Sequence, residues 1–256
     1  MYRVAIDIGG TFTDMLLVGE DGSAVIGKTL TTSADPSEAV ENALRPVFEG
    51  GRVKPGARGI LIHGTTLVTN ALIERKGAPT ALLATAGFRD AVEIGREHRY
   101  ELYDLNLELP KPLVPRHLRF DVPERTAADG TVLQPLDEAF IKRLVVELRD
   151  KGIRAIAVSY LNSFRNPEHE RRTAALIAEV APEIMVSTSS DVVAEIREFP
   201  RTSTTLANVY VQERVSDYLS SLQIRLKKLG FTGSFFVMFS SGGIATRETA
   251  SRFPVR

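Results

Sequence analysis

The amino-acid sequence predicts an α/β fold built on a mixed sheet that opens with three antiparallel strands. Two observations carry this prediction. The first 30 residues contain three short strand-like runs separated by glycine-containing turns, which is typical of a strand meander. From residue 35 onward, helical and strand patterns alternate, and such alternation places helices on the faces of a sheet. We therefore expect a mixed sheet with helices on both faces.

The opening elements follow from local signals. Strands are predicted at residues 3–8, 15–19 and 24–30. Gly22 lies in the turn between the second and third strands, where a hairpin needs a flexible backbone. Asp35 is suited to cap a helix that has Pro36 at its first position and Glu38 in its first turn. This helix is predicted to end near Phe48.

The alternation continues through the rest of the chain. The predicted strands cover residues 59–63, 79–84, 153–160, 184–188 and a buried 234–239, and the predicted helices cover 65–76, 137–151, 166–181 and 202–229. Prolines interrupt the pattern between residues 95 and 135. We predict an irregular excursion there, which is either a functional loop or a segment that only packs.

The composition excludes several classes of protein. The 256 residues carry 32 basic and 32 acidic side chains, and a zero net charge argues against a nucleic-acid or membrane-surface partner. The absence of cysteine excludes disulfides, thiol nucleophiles and iron–sulfur clusters. No apolar run reaches the ~18 residues of a membrane span, and the first residues lack a signal-peptide pattern, so we expect a cytoplasmic protein.

The segment DIGGTFTD, from Asp7 to Asp14, is the motif that carries chemistry. Gly9 and Gly10 allow the backbone to approach a ligand with its N–H groups, and threonines add hydroxyl donors. A carboxylate at Asp7 would repel a bare phosphate, but it suits a phosphate that carries Mg²⁺. The pattern therefore predicts a magnesium–phosphate site on a hairpin. A plain hairpin turn is the alternative.

Seven stretches resemble the hydantoinase A/5-oxoprolinase family of the actin-like ATPase superfamily. They are DIGGTFTD from Asp7, HGTTLVTNALIERKG from His63, GFRDAVEIGRE from Gly87, LYDL from Leu102, PLVPRHLRFDVPER from Pro112, PRTSTTLANVYVQ from Pro200 and MFSSGGI from Met238. The resemblance implies an actin-like (ribonuclease H-like) fold. It also implies a family domain at residues 1–197, followed by the incomplete start of a second at 198–256.

The resemblance implies roles for named residues, with ATP and Mg²⁺ as cofactors. Asp7 would hold the metal, and the phosphates would contact four residues: Gly9, Gly10, Thr11 and Thr13. Thr65 and Thr66 would face the substrate. Asp14 would order the hairpin or reach the water shell of the metal. His63 would carry a proton, or it is a buried side chain of the core. The charged run Arg96–Arg99 is either a solvated loop or a contact to substrate or subunit.

The activity implied by the resemblance is ATP-dependent ring opening of a cyclic amide such as a hydantoin or 5-oxoproline. The first alternative is the ATP-binding subunit of an acetone- or acetophenone-type carboxylase, and the second is a non-catalytic nucleotide-binding module. A second large subunit of the hydantoinase B type would be the partner, in an oligomer. Because family members extend well beyond this length, we expect the N-terminal part of a longer subunit, truncated before its second half and inactive alone.

Overall fold

A computed structural model describes residues 1–32, 34–54, 56–96, 98 and 101–256. Glu97 and Arg99 of the charged run lie outside the described residues. The chain divides into two compact units. Unit 1 is discontinuous and comprises residues 1–74, 212–254 and 256. Unit 2 comprises residues 75–211 and 255, so it is essentially one continuous stretch of the chain.

The elements are numbered in chain order. The strands are β1 Tyr2–Ile8, β2 Phe12–Val18, β3 Ala24–Leu30, β4 Arg58–Thr65, β5 Thr80–Thr85, β6 Arg119–Val122, β7 Arg125–Thr126, β8 Val132–Gln134, β9 Ala155–Ser159, β10 Met185–Thr188, β11 Thr232–Met238 and β12 Ile244–Thr246. The helices are α1 Pro36–Glu49, α2 Leu67–Ile73, α3 Ala91–Ile94, α4 Glu138–Asp150, α5 Glu168–Val180, α6 Ser189–Val192, α7 Glu198–Lys228 and α8 Arg247–Arg252. In the described part of the chain, no helix combines the length and apolar character that crossing a membrane requires.

Unit 1 contains a six-stranded mixed sheet in the order β12-β11-β4-β1-β2-β3. The pairs β1–β2 and β2–β3 are antiparallel, so the predicted opening meander is confirmed. Strand β4 runs parallel to both β1 and β11. As a result, the C-terminal ends of β1 and β4 lie side by side, next to the turn that leads into β2.

The core of unit 1 lies on one face of this sheet. Along β1, alternate residues from Tyr2 to Ile8 are buried, as period-2 packing requires. Tyr2 packs edge-to-face on Phe48 of α1, with ring centroids 6.0 Å apart. Tyr218 of α7 contacts His63, which lies opposite Ile6 and on the same face. Helices α1 and α7 thus cover a single face, and the opposite face carries Asp7.

Unit 2 is built around a four-stranded parallel sheet in the order β10-β9-β5-β6. One core, with Leu83 and Val158 at its centre, packs against buried residues of α4 and α5. The other core includes Leu82 and Ala157 and packs against residues of α3 and the first half of α7. Helices are therefore found on both faces of this unit's sheet, although that sheet is parallel and is not the mixed sheet for which they were predicted.

Three sequence predictions need correction. The helix predicted at 65–76 covers only Leu67–Ile73, because Arg75 has a φ of 53° and ends the helical path before Gly77. The excursion predicted at 95–135 is irregular only in part, since β6 belongs to the sheet as the parallel neighbour of β5. Strand β11 was expected to be buried, but most of it is exposed or half-buried, with only Val237 buried.

Candidate functional site

The turn between β1 and β2 is open around Gly10. The Gly9 amide donates to the Phe12 carbonyl at 2.9 Å, which closes the turn. Gly10 is exposed, and a Cβ atom placed there would meet no heavy atom within 4 Å. A ligand can therefore approach the backbone at this point without displacing a side chain.

Thr31, which follows β3, holds the turn from behind. Its amide donates to the Thr11 carbonyl at 2.9 Å, and its hydroxyl donates to the Gly9 carbonyl at 2.9 Å. The hydroxyls of Thr13 and Thr31 are 3.0 Å apart. Because the single hydroxyl proton of Thr31 is given to Gly9, Thr13 is the donor of this bond. These contacts keep the turn in one shape.

Thr13 is therefore placed differently from the prediction. Its side chain is 0 % exposed, and its hydroxyl proton is engaged by Thr31. The expected contact from the Thr13 hydroxyl to a phosphate is not supported by this position. Thr11 is exposed, so its hydroxyl and the Gly10 amide are the donors that the turn presents to solvent.

Asp7 lies directly over Gly64 of the neighbouring strand β4. The two residues are register partners, and a Cβ atom at position 64 would lie 3.2 Å from Oδ1 of Asp7. That separation is tighter than an ordinary van der Waals contact, so glycine at 64 makes room for the carboxylate. Sequence reasoning did not single out Gly64, although its place in the HGTT motif was a usable signal.

Asp14 is the antiparallel partner of Asp7 across the hairpin. Its carboxylate accepts from Lys28 Nζ at 2.7 Å, and the same ammonium lies 4.7 Å from the centre of the Phe12 ring. Like charges opposite one another destabilise a strand pair, and Lys28 offsets this for Asp14. Asp7 makes no ion pair with any described residue, so its charge is available to a cation.

Thr65, the last residue of β4, and Thr66, the next residue, hold the start of α2 next to the hairpin. Thr65 Oγ1 accepts from the Leu67 amide at 3.1 Å, a local i to i+2 bond, whereas Thr66 is the N-cap residue and its side chain makes no capping bond. The Thr66 amide and hydroxyl both lie 3.4 Å from the Ile8 carbonyl, and Thr66 is exposed. The structure thus brings the HGTT segment and the DIGGTFTD turn together at one edge of the sheet.

His63 lies on the buried face, away from that edge. Its ring is 0 % exposed, and its Nε2 is 2.7 Å from the Tyr218 hydroxyl. Burial lowers the pKa of His63 from its ordinary value to about 4, so the ring is neutral near pH 7. A neutral imidazole accepts a hydrogen bond from tyrosine and stays within the core. Its burial argues against the predicted role as proton carrier, and the alternative of a core side chain is favoured.

The donor set at the edge fits a phosphate-bound Mg²⁺. Among the described residues, no cluster of three or more histidine or carboxylate side chains could hold a metal by itself. Mg²⁺ is usually bound through one or two carboxylates, with phosphate oxygens and water filling its other positions. One carboxylate without an ion pair, beside an open glycine turn, meets that requirement when the nucleotide supplies the phosphates.

Comparisons with known proteins place the chain in a family. Residues 3–181 match the family model for the hydantoinase/oxoprolinase N-terminal region, and residues 201–256 match the model for hydantoinase/oxoprolinase. The caprolactamase alpha subunit of Pseudomonas jessenii is 35% identical over 95% of this chain and 36% of its own length. The acetophenone carboxylase gamma subunit of Aromatoleum aromaticum is 35% identical over 94% of this chain and 35% of its own.

Solved structures agree with the sequence comparison. The ATP-dependent caprolactamase from Pseudomonas jessenii matches 96% of this chain and 36% of its own, with a TM-score of 0.87 and 34% identity. Nucleotide-free acetone carboxylase matches 99% of this chain and 38% of its own, with a TM-score of 0.84 and 29% identity. The chain spans about a third of the length of the curated relatives it matches. It belongs to the hydantoinase/oxoprolinase family.

Proposed function

We propose that this member of the hydantoinase/oxoprolinase family is part of an ATP-dependent enzyme subunit that activates the carbonyl group of a cyclic amide. The single observation that carries the proposal is Asp7, an exposed carboxylate without an ion pair among the described residues, seated over Gly64 beside the open Gly10 turn. The matching caprolactamase is ATP-dependent, and the lactam it is named for is a cyclic amide.

The proposed chemistry makes a poor electrophile reactive. An amide carbonyl resists attack by water because its carbon is stabilised by resonance with nitrogen. Transfer of the γ-phosphoryl group from ATP to the carbonyl oxygen forms an O–P bond and releases ADP. Water then adds to the activated carbon, and the ring C–N bond breaks to give the amine and an acyl phosphate. A second water hydrolyses the acyl phosphate to the carboxylate and inorganic phosphate. Phosphoryl transfer depends mainly on positioning and charge neutralisation, which a metal and backbone amides can supply.

Each residue at the edge has a proposed part in this scheme. Asp7 would hold Mg²⁺ directly or through water, and the metal would neutralise phosphate charge. The Gly10 amide and the Thr11 hydroxyl would bind phosphate oxygens, whereas the Gly9 amide, also predicted to contact phosphate, is already bonded to the Phe12 carbonyl. Thr65 and Thr66 would face the substrate, with Thr66 the more accessible of the two. Asp14, through its ion pair with Lys28, would set the shape of the hairpin rather than touch the reacting atoms.

We also propose the finer features of the fold and assembly. The meander β1–β3 followed by α1 and a parallel β4 supports an actin-like ATPase (ribonuclease H-like) fold. The family domains would divide at residues 197 and 198. Two relatives are named as alpha and gamma subunits, which supports a second large subunit of the hydantoinase B type as partner. An oligomer and a cytoplasmic location stay predictions.

A ketone carboxylase subunit is the second candidate. The acetophenone carboxylase subunit and the caprolactamase subunit are equally similar to this chain, at 35% identity. In that reaction the same phosphoryl transfer would activate a ketone as its enol phosphate. A nucleotide-binding module without catalysis is the third candidate, because the donors at the hairpin by themselves account only for binding of nucleotide and metal.

Magnesium-dependent ATP binding tests the proposal. We expect calorimetry to detect ATP binding that EDTA abolishes, and we expect Asp7→Asn to weaken it by at least about tenfold, since a direct or water-mediated charge contact is lost. Asp150→Asn is the matched control, because Asp150 is an exposed aspartate paired with Arg149. Unchanged Mg·ATP affinity in a folded Asp7→Asn protein would contradict the assignment of the hairpin.

The substrate class is tested by phosphate release. Release stimulated by caprolactam or 5-oxoproline would support cyclic-amide opening. Release stimulated by acetophenone with bicarbonate would favour the carboxylase. ATP binding with no stimulation by any of them, measured with a candidate partner subunit present, would favour the non-catalytic module.

A further inference from the structure

Unit 2 contains a pocket of about 680 Å³ that the proposed function does not use. Its wall is formed by α3 and the residues just after it, by the segment 109–113, and by the first turns of α7. The volume lies within the range of about 300–1,000 Å³ that is usual for small-molecule sites. A molecule of roughly drug size, rather than a folded partner, matches this space.

The lining of the pocket is largely apolar. Ile94, Leu109 and Phe199 contribute to it, and the first two are 59% and 55% exposed. Large apolar side chains that converge on one concave surface yet remain exposed are a common sign of a binding site. The body of the ligand is therefore expected to be apolar.

The acidic side chain at the pocket has a partner, whereas two basic side chains there do not have one among the described residues. Glu93 is already neutralised, because its carboxylate accepts from the buried Arg119 guanidinium at 2.7 Å. Arg119 itself is only 2% exposed and also donates to the Val114 carbonyl at 3.0 Å. Arg96 and Lys111 line the same pocket, and their side chains have no ion pair or hydrogen bond to any described residue. The charge left over at the pocket is positive.

We propose that this pocket binds a small monoanion with an apolar body, such as an aryl- or alkyl-carboxylate. Apolar walls take up the body, while Arg96 and Lys111 receive the carboxylate. The inference goes beyond the proposed function and does not depend on it, because none of these residues belongs to the proposed nucleotide site at the β1–β2 turn.

The pocket wall is built from sequence stretches that carry the family resemblance. Three of the stretches that carry the family resemblance supply residues of its wall: GFRDAVEIGRE, PLVPRHLRFDVPER and PRTSTTLANVYVQ. The proposed nucleotide site does not use these stretches. Parts of them instead come together at this pocket.

A matched pair of probes tests the anion. We expect 4-phenylbutyrate to bind the folded protein saturably in NMR titrations, and 4-phenylbutan-1-ol, which has the same body without the charge, to bind at least about fivefold more weakly. Arg96→Gln with Lys111→Gln should weaken 4-phenylbutyrate binding by about tenfold, as expected for two partly exposed charge contacts. Arg149→Gln with Lys151→Gln, exposed cations on another surface, is the control and should bind like the unmodified protein.

A space-filling variant tests the location. Ser203 lies on α7 at the pocket wall and is half-buried, so Ser203→Phe should occupy the cavity and abolish binding of 4-phenylbutyrate while the protein stays folded by circular dichroism. Three results would overturn the proposal: equal binding of the acid and the alcohol, full binding by the Arg96/Lys111 variant, or binding that survives Ser203→Phe. Absence of saturable binding to the folded protein would also overturn it.

Discussion

Asp7 in unit 1 and Glu170 in unit 2 are carboxylates in opposite surroundings. Asp7 is exposed and makes no ion pair with a described residue. Glu170 is 0 % exposed and accepts three hydrogen bonds, from the Tyr160 amide at 2.8 Å, the Ser189 hydroxyl at 2.6 Å and the Ser190 amide at 2.8 Å. A buried carboxylate must find its donors within the fold. The oxygens of an exposed carboxylate without an ion pair are free to bind a cation or a ligand.

The surroundings of Glu170 extend the comparison to a buried cation. Ser189 Oγ is 2.9 Å from Ser163 Oγ, and Ser163 accepts from the Arg201 guanidinium at 2.6 Å. Arg201 is 1% exposed and also donates to the Tyr160 carbonyl at 2.8 Å. Burial lowers the pKa of Arg201, and the charge of Glu170 opposes that shift. In unit 2, the charged residues Glu170 and Arg201 are buried and stabilise the core. In unit 1, the charged residue Asp7 is exposed at the end of a strand.

The largest expected effect comes from removing the buried carboxylate. Glu170→Leu would leave the donors of Tyr160, Ser189 and Ser190 without their acceptor and Arg201 without its nearby counter-charge. We expect the free energy of unfolding to fall by about 3–5 kcal/mol, measured by urea denaturation. The control Glu183→Leu changes an exposed glutamate and should shift it by less than about 0.5 kcal/mol. Similar losses in both variants would show that Glu170 contributes no more to stability than an exposed glutamate.

The stability of unit 1 is expected to depend on pH through His63. The pKa of His63 is about 4 in the folded protein and about 6.5 when unfolded, so the unfolded chain binds the extra proton between these values. Stability is therefore retained above pH 6.5 and lost as the pH falls toward 4, by up to about 3 kcal/mol.

Urea denaturation at pH 7 and pH 4.5 checks this dependence. His63→Gln should lose this part of the decline, because its side chain does not titrate. His117→Gln, at an exposed histidine, should keep it. An unchanged decline in His63→Gln would show that His63 is not the group responsible.

A smaller effect on stability is expected from Gly64→Ala. The added Cβ would lie 3.2 Å from Oδ1 of Asp7, so the carboxylate must move by a few tenths of an ångström. Because Asp7 is exposed, we expect a stability loss of no more than about 1 kcal/mol, together with weaker Mg·ATP binding. Gly243→Ala is the comparison variant, because Gly243 is exposed, has no proposed part in the site, and a Cβ there would lie at an ordinary 3.7 Å from Ser241 Oγ. Equal Mg·ATP affinity in Gly64→Ala and the unmodified protein would argue against the Asp7 site.

The smallest effect should come from the exposed pair of Asp14 and Lys28. Their side chains are 52% and 55% exposed, and exposed ion pairs contribute between about 0 and 1 kcal/mol. We expect Lys28→Met to lower the free energy of unfolding by less than about 1 kcal/mol, with any loss reduced further in 0.5 M salt because screening already weakens the pair. A loss above about 2 kcal/mol would place Lys28 among the structural charges.

Local chemistry made much of the fold predictable. Asp35 accepts from the Ser37 amide at 3.0 Å and Asp137 accepts from the Phe140 amide at 2.8 Å, so both helices begin where their caps indicate. Gly152, just after α4, has a φ of 78°, a conformation that glycine adopts without strain. The signals for these features lie within a few residues of the structure they specify.

The features that sequence reasoning missed or, for His63, left open between two alternatives depend on distant partners. Thr13 is occupied by Thr31, which lies beyond the next strand, and His63 is buried by Tyr218 of the long helix. The close approach of Gly64 to Asp7 follows from the pairing of β1 with β4, which no local motif states. Strand β6 lies in the proline-interrupted segment and was not predicted, because only its pairing with β5 identifies it as a strand. Site residues can thus be nominated from sequence, but their availability is decided by tertiary contacts.

The discontinuity of unit 1 has a consequence for the order of folding during synthesis. Its sheet joins Arg58 of β4 to Thr232 of β11, and residues 75–211 of unit 2 are encoded between them. These residues contain the parallel sheet and both cores of unit 2, which can assemble while the last strands are still inside the ribosome. Strand β4 must wait with one edge unpaired until β11 emerges, and this interval is when the nascent chain exposes a strand edge to its neighbours.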